Sequence, residues 1–232
     1  METPHDAPGN QPFSAEDLRS IYETRFGDRS AYRDRVWRVL VRDYFQRFVR
    51  PQDAILDLGA GHGEFINHIS CGKKYAMDLN PDTAKRVNAD VEVMRQDCAK
   101  PWLLPDGSLD VVFTSNFFEH LPDKQALARA LAEARRCLKR GGRLIAMGPN
   151  IKYVPGSYWD FWDHHLPLTE QSLAEALSLH GFRVEHRIGK FLPFTMARGP
   201  RYPVCFVAAY LRFPPAWRIF GKQFLVIGKK RA

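Results

Sequence analysis

The rhythm of apolar and polar positions changes near residue 50. Before it, residues 13–26 and 30–48 repeat apolar side chains at the spacing of amphipathic helices, and Ser14 with Asp17 opens the first as a capping box. After it, short apolar runs alternate with helical ones. Residues 54–58 read as a buried strand, 63–70 as a helix, 75–78 as a second strand, and Pro81 begins another helix. Strands follow at 91–94 and 109–114. A long helix at 124–140 is stopped by Gly141 and Gly142, and a fifth strand spans 143–147. A helix at 169–180 is closed by Gly181, and strands at 182–188 and 224–227 complete the series. Strands alternating with helices predict an α/β domain around a mostly parallel sheet. The expected division is a disordered start and helical cap over 1–50, then one domain over 51–232. Residues 193–221 form an insertion rich in proline and aromatic residues.

Composition narrows the class. With 232 residues, 45% apolar and 26% charged, the chain suits one domain with a full core and excludes wholesale disorder. No apolar run approaches the roughly 18 residues that span a bilayer. Residues 1–11 are polar, without the basic and apolar succession of a secretory leader. Cys71, Cys98, Cys137 and Cys205 lack metal-finger or redox spacing, so a reduced, cytoplasmic protein is expected. The net charge of +8 is unevenly placed. The last 50 residues hold eleven Lys or Arg and one acid, Glu185, while residues 1–182 are near neutral at −2. A basic, aromatic tail suits an anionic partner.

The candidate chemistry begins at Asp57-Leu58-Gly59-Ala60-Gly61-His62-Gly63, between the first strand and its helix. Glycines there allow a tight turn and a close backbone approach to a ligand. A dinucleotide fingerprint would want its third glycine at position 64. Glu64 instead puts a carboxylate where a pyrophosphate would sit, which disfavours a nicotinamide oxidoreductase. Asp78 ends the second strand, where a carboxylate can take both ribose hydroxyls, and Asp97 follows the third, where it can accept from an adenine amino group.

With these residues, the runs 109–116 (Leu-Asp-Val-Val-Phe-Thr-Ser-Asn) and 138–144 (Leu-Lys-Arg-Gly-Gly-Arg-Leu) complete a pattern over roughly residues 50–190. It resembles the class I S-adenosylmethionine (AdoMet)-dependent methyltransferases of type 11 or 23, nearest the ubiquinone-pathway O-methyltransferase branch. The resemblance implies a Rossmann-like doubly wound α/β fold. Its seven-stranded, mostly parallel sheet would have an antiparallel last strand and an N-terminal helical lid. It also implies AdoMet as cofactor. Asp57, Gly59, Ala60, Gly61 and Gly63 would face the methionine part, Asp78 and Leu79 the ribose, Asp97 and Cys98 the adenine, and Ser115 and Asn116 the methionyl amine. Tyr22, Arg25 and Arg33 on the lid helices are further candidate contacts, or solvated side chains.

Methyl transfer from a sulfonium is an in-line displacement, so alignment supplies much of the rate, and a hydroxyl acceptor needs a base or a metal. Two clusters offer one: Asn116 to His120 after the fourth strand, and Tyr158 to His165 in the loop after the fifth. His120, His164 and His165 are the candidate catalytic residues. The small-RNA 2′-O-methyltransferases hold a divalent metal with a Glu-x-x-Glu-His motif and a later Asp-His. Glu119-His120 and Asp163-His164 are similar, but Asn116 replaces the first Glu. Glu119, His120 and His164 are therefore candidate ligands for a metal such as Mn, Fe or Zn. Otherwise, His120 packs under the cofactor and Glu119 caps the following helix. The aromatic loop from Tyr153 to Trp162 is an acceptor wall or a satellite hydrophobic cluster.

The leading expectation is AdoMet-dependent O-methylation of a small-molecule, glycan or lipid-linked hydroxyl. An RNA 2′-O-methyltransferase and a non-catalytic AdoMet-binding protein are the alternatives, although no RNA-binding module signature occurs. The segment 193–221 is expected either to touch an anionic membrane peripherally, at the inner face, or to cover the sheet edge.

Overall fold

The computed structural model of the chain describes residues 16, 17, 20, 21, 24, 29–194 and 199–231. Glu16, Asp17, Ser20, Ile21 and Thr24 are helical, in line with the first amphipathic pattern. The start at 1–11, Ser14, Tyr22 and Arg25 lie outside the described residues.

Helix α1 (Ser30–Asp43) buries Val36, Trp37, Leu40 and Val41, and a 3-10 turn (Phe45–Phe48) follows it. Then come β1 (Ala54–Leu58), α2 (Glu64–His68), β2 (Lys73–Met77), α3 (Thr83–Arg86), β3 (Val91–Met94), β4 (Leu109–Ser115) and α4 (Lys124–Cys137). Strand β5 (Leu138–Pro149), α5 (Glu170–Leu179), β6 (Phe182–Ile188), α6 (Val204–Arg212), α7 (Pro214–Phe220) and β7 (Gln223–Lys230) complete the chain.

The seven strands lie in the order β3-β2-β1-β4-β5-β7-β6. The first five are parallel, and β7 runs antiparallel to both neighbours. The central strands are apolar on both faces because helices cover both. Leu56 and Leu58 of β1 join one core with α4 and α5, whereas Ile55 joins the other with α1, α2 and α6. Helix α4 shows how local sequence specifies its part. Asp123 caps it by accepting from the Ala126 N–H at 2.7 Å, and Ala126, Ala130, Ala134 and Cys137 line its buried face. The chain leaves β1 toward β2 on one side and toward β4 on the other, so the carboxyl ends of β1 and β4 flank the crevice where open α/β sheets bind ligands.

One expectation is corrected. The long helix ends at Cys137, and Gly141 and Gly142 lie inside β5. Leu138 is fully buried and pairs with Leu109, after which the register shifts and Arg143 pairs with Val111. Gly141, at φ +76°, supplies the left-handed residue of that irregularity. Pro214 and Pro215 open α7, where proline is tolerated in the first turn.

Candidate active site

A cavity of about 590 Å³ opens at the carboxyl ends of β1, β2, β4 and β5. Its floor is the turn after β1. The Gly59 N–H donates to Met77 O at 2.9 Å, and Gly59 and Gly61 have φ of +72° and +53°. A Cβ on Gly59 would stand 2.2 Å from Cγ of Phe117, so only glycine fits. Gly63 also has a positive φ, +73°, but does not line the cavity. It caps α2 and packs against Val87, a turn role in place of the expected ligand contact. Glu64 opens α2 and accepts from Arg33 Nε at 2.7 Å, which places both side chains at the cavity wall.

Asp57, Asp78 and Asp97 all line this space. Burial, with the Glu64 and Asp78 charges behind it, pushes the Asp57 carboxyl well above the usual range. Asp78 is held at both oxygens: Oδ2 accepts from the Gly61 N–H at 2.7 Å and Oδ1 from the Asn80 N–H at 2.8 Å. Each oxygen retains a second acceptor site, which suits a vicinal diol. Burial raises the Asp78 pKa, and the Asn80 and Gly61 N–H groups oppose it. Asp97 Oδ1 accepts from the Ala99 N–H at 2.8 Å. Burial and then the Asp97 charge push the Cys98 thiol up to about 12, so Cys98 is wall and not nucleophile.

Leu79, Ala60, Ser115 and Asn116 are also at the cavity. Asn116 has φ +50°, the one non-glycine positive φ among the described residues. Its amide donates to Ser115 Oγ at 3.0 Å, while Oδ1 is buried without a hydrogen-bond partner. An orphaned acceptor on a left-handed backbone fits an incoming ammonium group. With the diol-holding Asp78, this makes the residues present a fit for AdoMet.

A second constellation lines the same cavity. His120 lies in a 3-10 turn (Phe118–His120) after β4, and Asp163 and His164 come from the loop after β5. His120 Nδ1 meets Asp163 Oδ2 at 3.2 Å and the Asp163 carbonyl at 3.0 Å. Two oxygen acceptors on one nitrogen fix the Nδ1–H tautomer and leave Nε2 as the basic atom. Burial works against a charged ring, but the Asp163 hydrogen bond and the Glu119 charge outweigh it and the His120 pKa is raised. Glu119, His120 and His164 bring ligand-capable atoms within 4.8 Å of one another. Asp163 thus supports His120 and is not one of that trio. His165 is corrected: its side chain is exposed and off the cavity, and its backbone N–H donates to Glu119 O at 2.8 Å.

The aromatic loop divides its work. Tyr158 is buried, and Phe161 lines the cavity, stacked on His164 at 4.8 Å between centroids, whereas Trp159 and Trp162 face solvent. Sequence reasoning missed Trp37, Phe194 and Gln223, which also line the cavity. Gln223 had a signal: it is the polar residue that opens an apolar run, Phe224 to Ile227, and its buried Oε1 has no hydrogen-bond partner.

With this geometry in hand, comparison with known proteins is direct. Residues 56–146 match a family model described as a methyltransferase domain. A probable S-adenosylmethionine-dependent methyltransferase of Mycolicibacterium smegmatis is 32% identical over 146 residues, 56% of each chain. A 2-methyl-6-phytyl-1,4-hydroquinone methyltransferase of Synechocystis is 29% identical over 153 residues, 56% of this chain and 46% of that one. The chain thus matches about half the length of these curated relatives. Among solved structures, a SAM-dependent methyltransferase from Archaeoglobus fulgidus superposes with a TM-score of 0.65 at 23% identity, covering 91% of this chain and 99% of that one, a likeness of fold.

Proposed function

We propose that the chain is a class I S-adenosylmethionine-dependent methyltransferase that transfers the AdoMet methyl group to a hydroxyl oxygen of a small, largely apolar acceptor, a reading supported by the methyltransferase-domain match over residues 56–146. The observation that carries this reading is that Asp78, Asp97, the orphaned Asn116 Oδ1, His120 and Asp163 all line a single cavity. Bound AdoMet supplies a sulfonium methyl with a good leaving group, so the protein's task is alignment and proton removal. Asp163 holds His120 by Nδ1, and Nε2 would take up the proton of the acceptor hydroxyl. An imidazole suits an acidic hydroxyl, such as a phenol, better than an aliphatic one. Trp37, Phe161 and Phe194 give such a ring an apolar wall, and Gln223 Oε1 offers it an acceptor. The Synechocystis relative, whose name specifies a hydroquinone, agrees with that choice.

A second reading has its own observation. Glu119, His120 and His164 form a carboxylate and two-imidazole set close enough for one divalent cation, with Asp163 as the outer partner of His120. The residues fit Mn, Fe or Zn, whose contribution would be to acidify a coordinated hydroxyl.

The experiment is transfer from methyl-labelled AdoMet to a panel of phenols, lipids, glycans and RNA, run with and without EDTA. Formation of a methyl ether on a phenol, lost in His120→Ala, is expected. Loss with EDTA and recovery with Mn or Zn selects the metal form. A methylated nitrogen or carbon as the sole product, or methylation confined to RNA, would overturn the hydroxyl reading. AdoMet binding without transfer to any fraction would make the protein a binding module.

A further inference from the structure

We propose that the outward face of α6 and α7 docks on an anionic lipid surface. The two helices lie in the insertion before β7, and each is only half accounted for by packing. Helix α6 buries Ala208 and Leu211 and rests Val204, Val207 and Tyr210 on the same core as α1. Helix α7 buries no residue fully. It is pinned by Trp217, whose Nε1 donates to Tyr210 O at 2.8 Å and whose ring meets Phe191 edge-on at 5.0 Å. That anchoring uses the inward stripe alone. Phe206 is left 61% exposed, Phe213 60%, Ile219 71% and Phe220 59%. These are four of the nine large exposed hydrophobics among the described residues, gathered within fifteen positions of sequence. Water is a poor solvent for such a cluster, so an apolar occupant is required.

Charge identifies the occupant. From His186 to the end of the chain there is no acidic residue. Arg201, Arg212, Arg218 and Lys222 are exposed around the apolar side chains. Asp43 of α1 approaches Arg212 at 3.4 Å, but the Arg212 side chain remains 70% exposed. A second copy of this chain would set cation against cation. A lipid interface with anionic headgroups satisfies both features at once, with the aromatic and aliphatic tips at the acyl boundary and the arginines at the phosphates. The attachment is peripheral: among the described residues no helix is long and apolar enough to cross a membrane. It also bears on the site, because Leu192, just before the insertion, and Phe194, at its start, line the cavity. The inference does not depend on which atom is methylated.

The test is flotation of the full chain with phosphatidylcholine vesicles, with and without one-third phosphatidylglycerol, at two salt concentrations. Wild type is expected to float with the anionic vesicles and not with the neutral ones. Arg212→Gln with Arg218→Gln should lower the partition constant by about 30-fold, roughly fivefold per basic residue. Ile219→Ser with Phe220→Ser should abolish the binding that survives raised salt. Phe206→Ser, on the other helix, repeats the apolar arm should α7 melt in the double variant. Wild type that stays at the bottom of the gradient, or equal flotation of all variants, would overturn the proposal. So would salt-sensitive retention of RNA that the apolar substitutions leave intact, or a dimer that the same substitutions dissociate.

Discussion

The two halves of the cavity are built by different means. On the β1–β3 side, the acids are held by backbone N–H groups at the strand ends: Gly61 N–H to Asp78, Asn80 N–H to Asp78, Ala99 N–H to Asp97. On the side formed by the loops after β4 and β5, the groups come from far apart. His120 reaches Asp163 across 43 positions, and Phe161 meets Phe194 at 5.9 Å between centroids. One half is backbone geometry at a fixed turn, which admits one shape of ligand. The other is side chains on long loops, which can change while the fold does not. Cofactor binding and acceptor chemistry should therefore fail separately.

The sharpest separation is at His120. His120→Ala should lower turnover by about 10²–10⁴ while AdoMet affinity changes less than about threefold. Steady-state rates beside calorimetry check this, and parallel losses in both would dissolve the distinction. Gly59→Val breaks the other half, since its Cβ meets Phe117 and its φ of +72° suits no β-branched residue. A stability loss of about 1–3 kcal/mol is expected, with no measurable AdoMet binding. Thermal melting and calorimetry read both. Asp78→Ala is milder. The fold should persist, and AdoMet affinity should fall by about 1.5–3 kcal/mol, the worth of a charged acceptor on a diol. Unchanged affinity would remove Asp78 from the ligand.

The smallest effect concerns the bracket behind Asp97. Glu133 Oε2 accepts from the Trp102 N–H at 2.6 Å and from Arg136, and Trp102 Nε1 donates to Cys98 O at 2.9 Å. The Arg136 hydrogen bonds hold the Glu133 pKa below its ordinary value against the opposing effect of burial. A depressed carboxylate pKa stabilises the fold above the unfolded-state pKa and loses that contribution as pH falls through the folded-state value. Glu133→Gln should thus cost about 1 kcal/mol at neutral pH and progressively less as the pH falls below the ordinary carboxylate range. Denaturant melts at neutral and acidic pH measure it, and a pH-independent cost would show that packing, not charge, matters there.

Much of the β1–β3 half was legible because its information is local. A glycine turn between an apolar strand and a helix, with acids at the next two strand ends, has one spatial solution once the sheet is parallel, and Asp57, Gly59, Gly61, Asp78 and Asp97 do meet in one cavity. Gly63 shows the limit: its spacing matched a ligand contact, but its backbone capped a helix. The double glycine at 141–142 shows another, because a helix stop and a strand irregularity use the same residue.

The sequence by itself thus determined the element order, the parallel sheet and the residues of the cofactor-side turn, through periodicity and backbone conformational preference, which act over a few residues. It also marked His120, His164 and His165 as chemically alike. Only the tertiary structure separated them, turning His120 onto Asp163, setting His164 beside Glu119 and leaving His165 off the cavity. It alone brought Gln223 and Phe194 to the same wall. The physical reason is that side-chain proximity across loops is fixed by how two cores bury their apolar surface, a property of the whole chain that no short window contains.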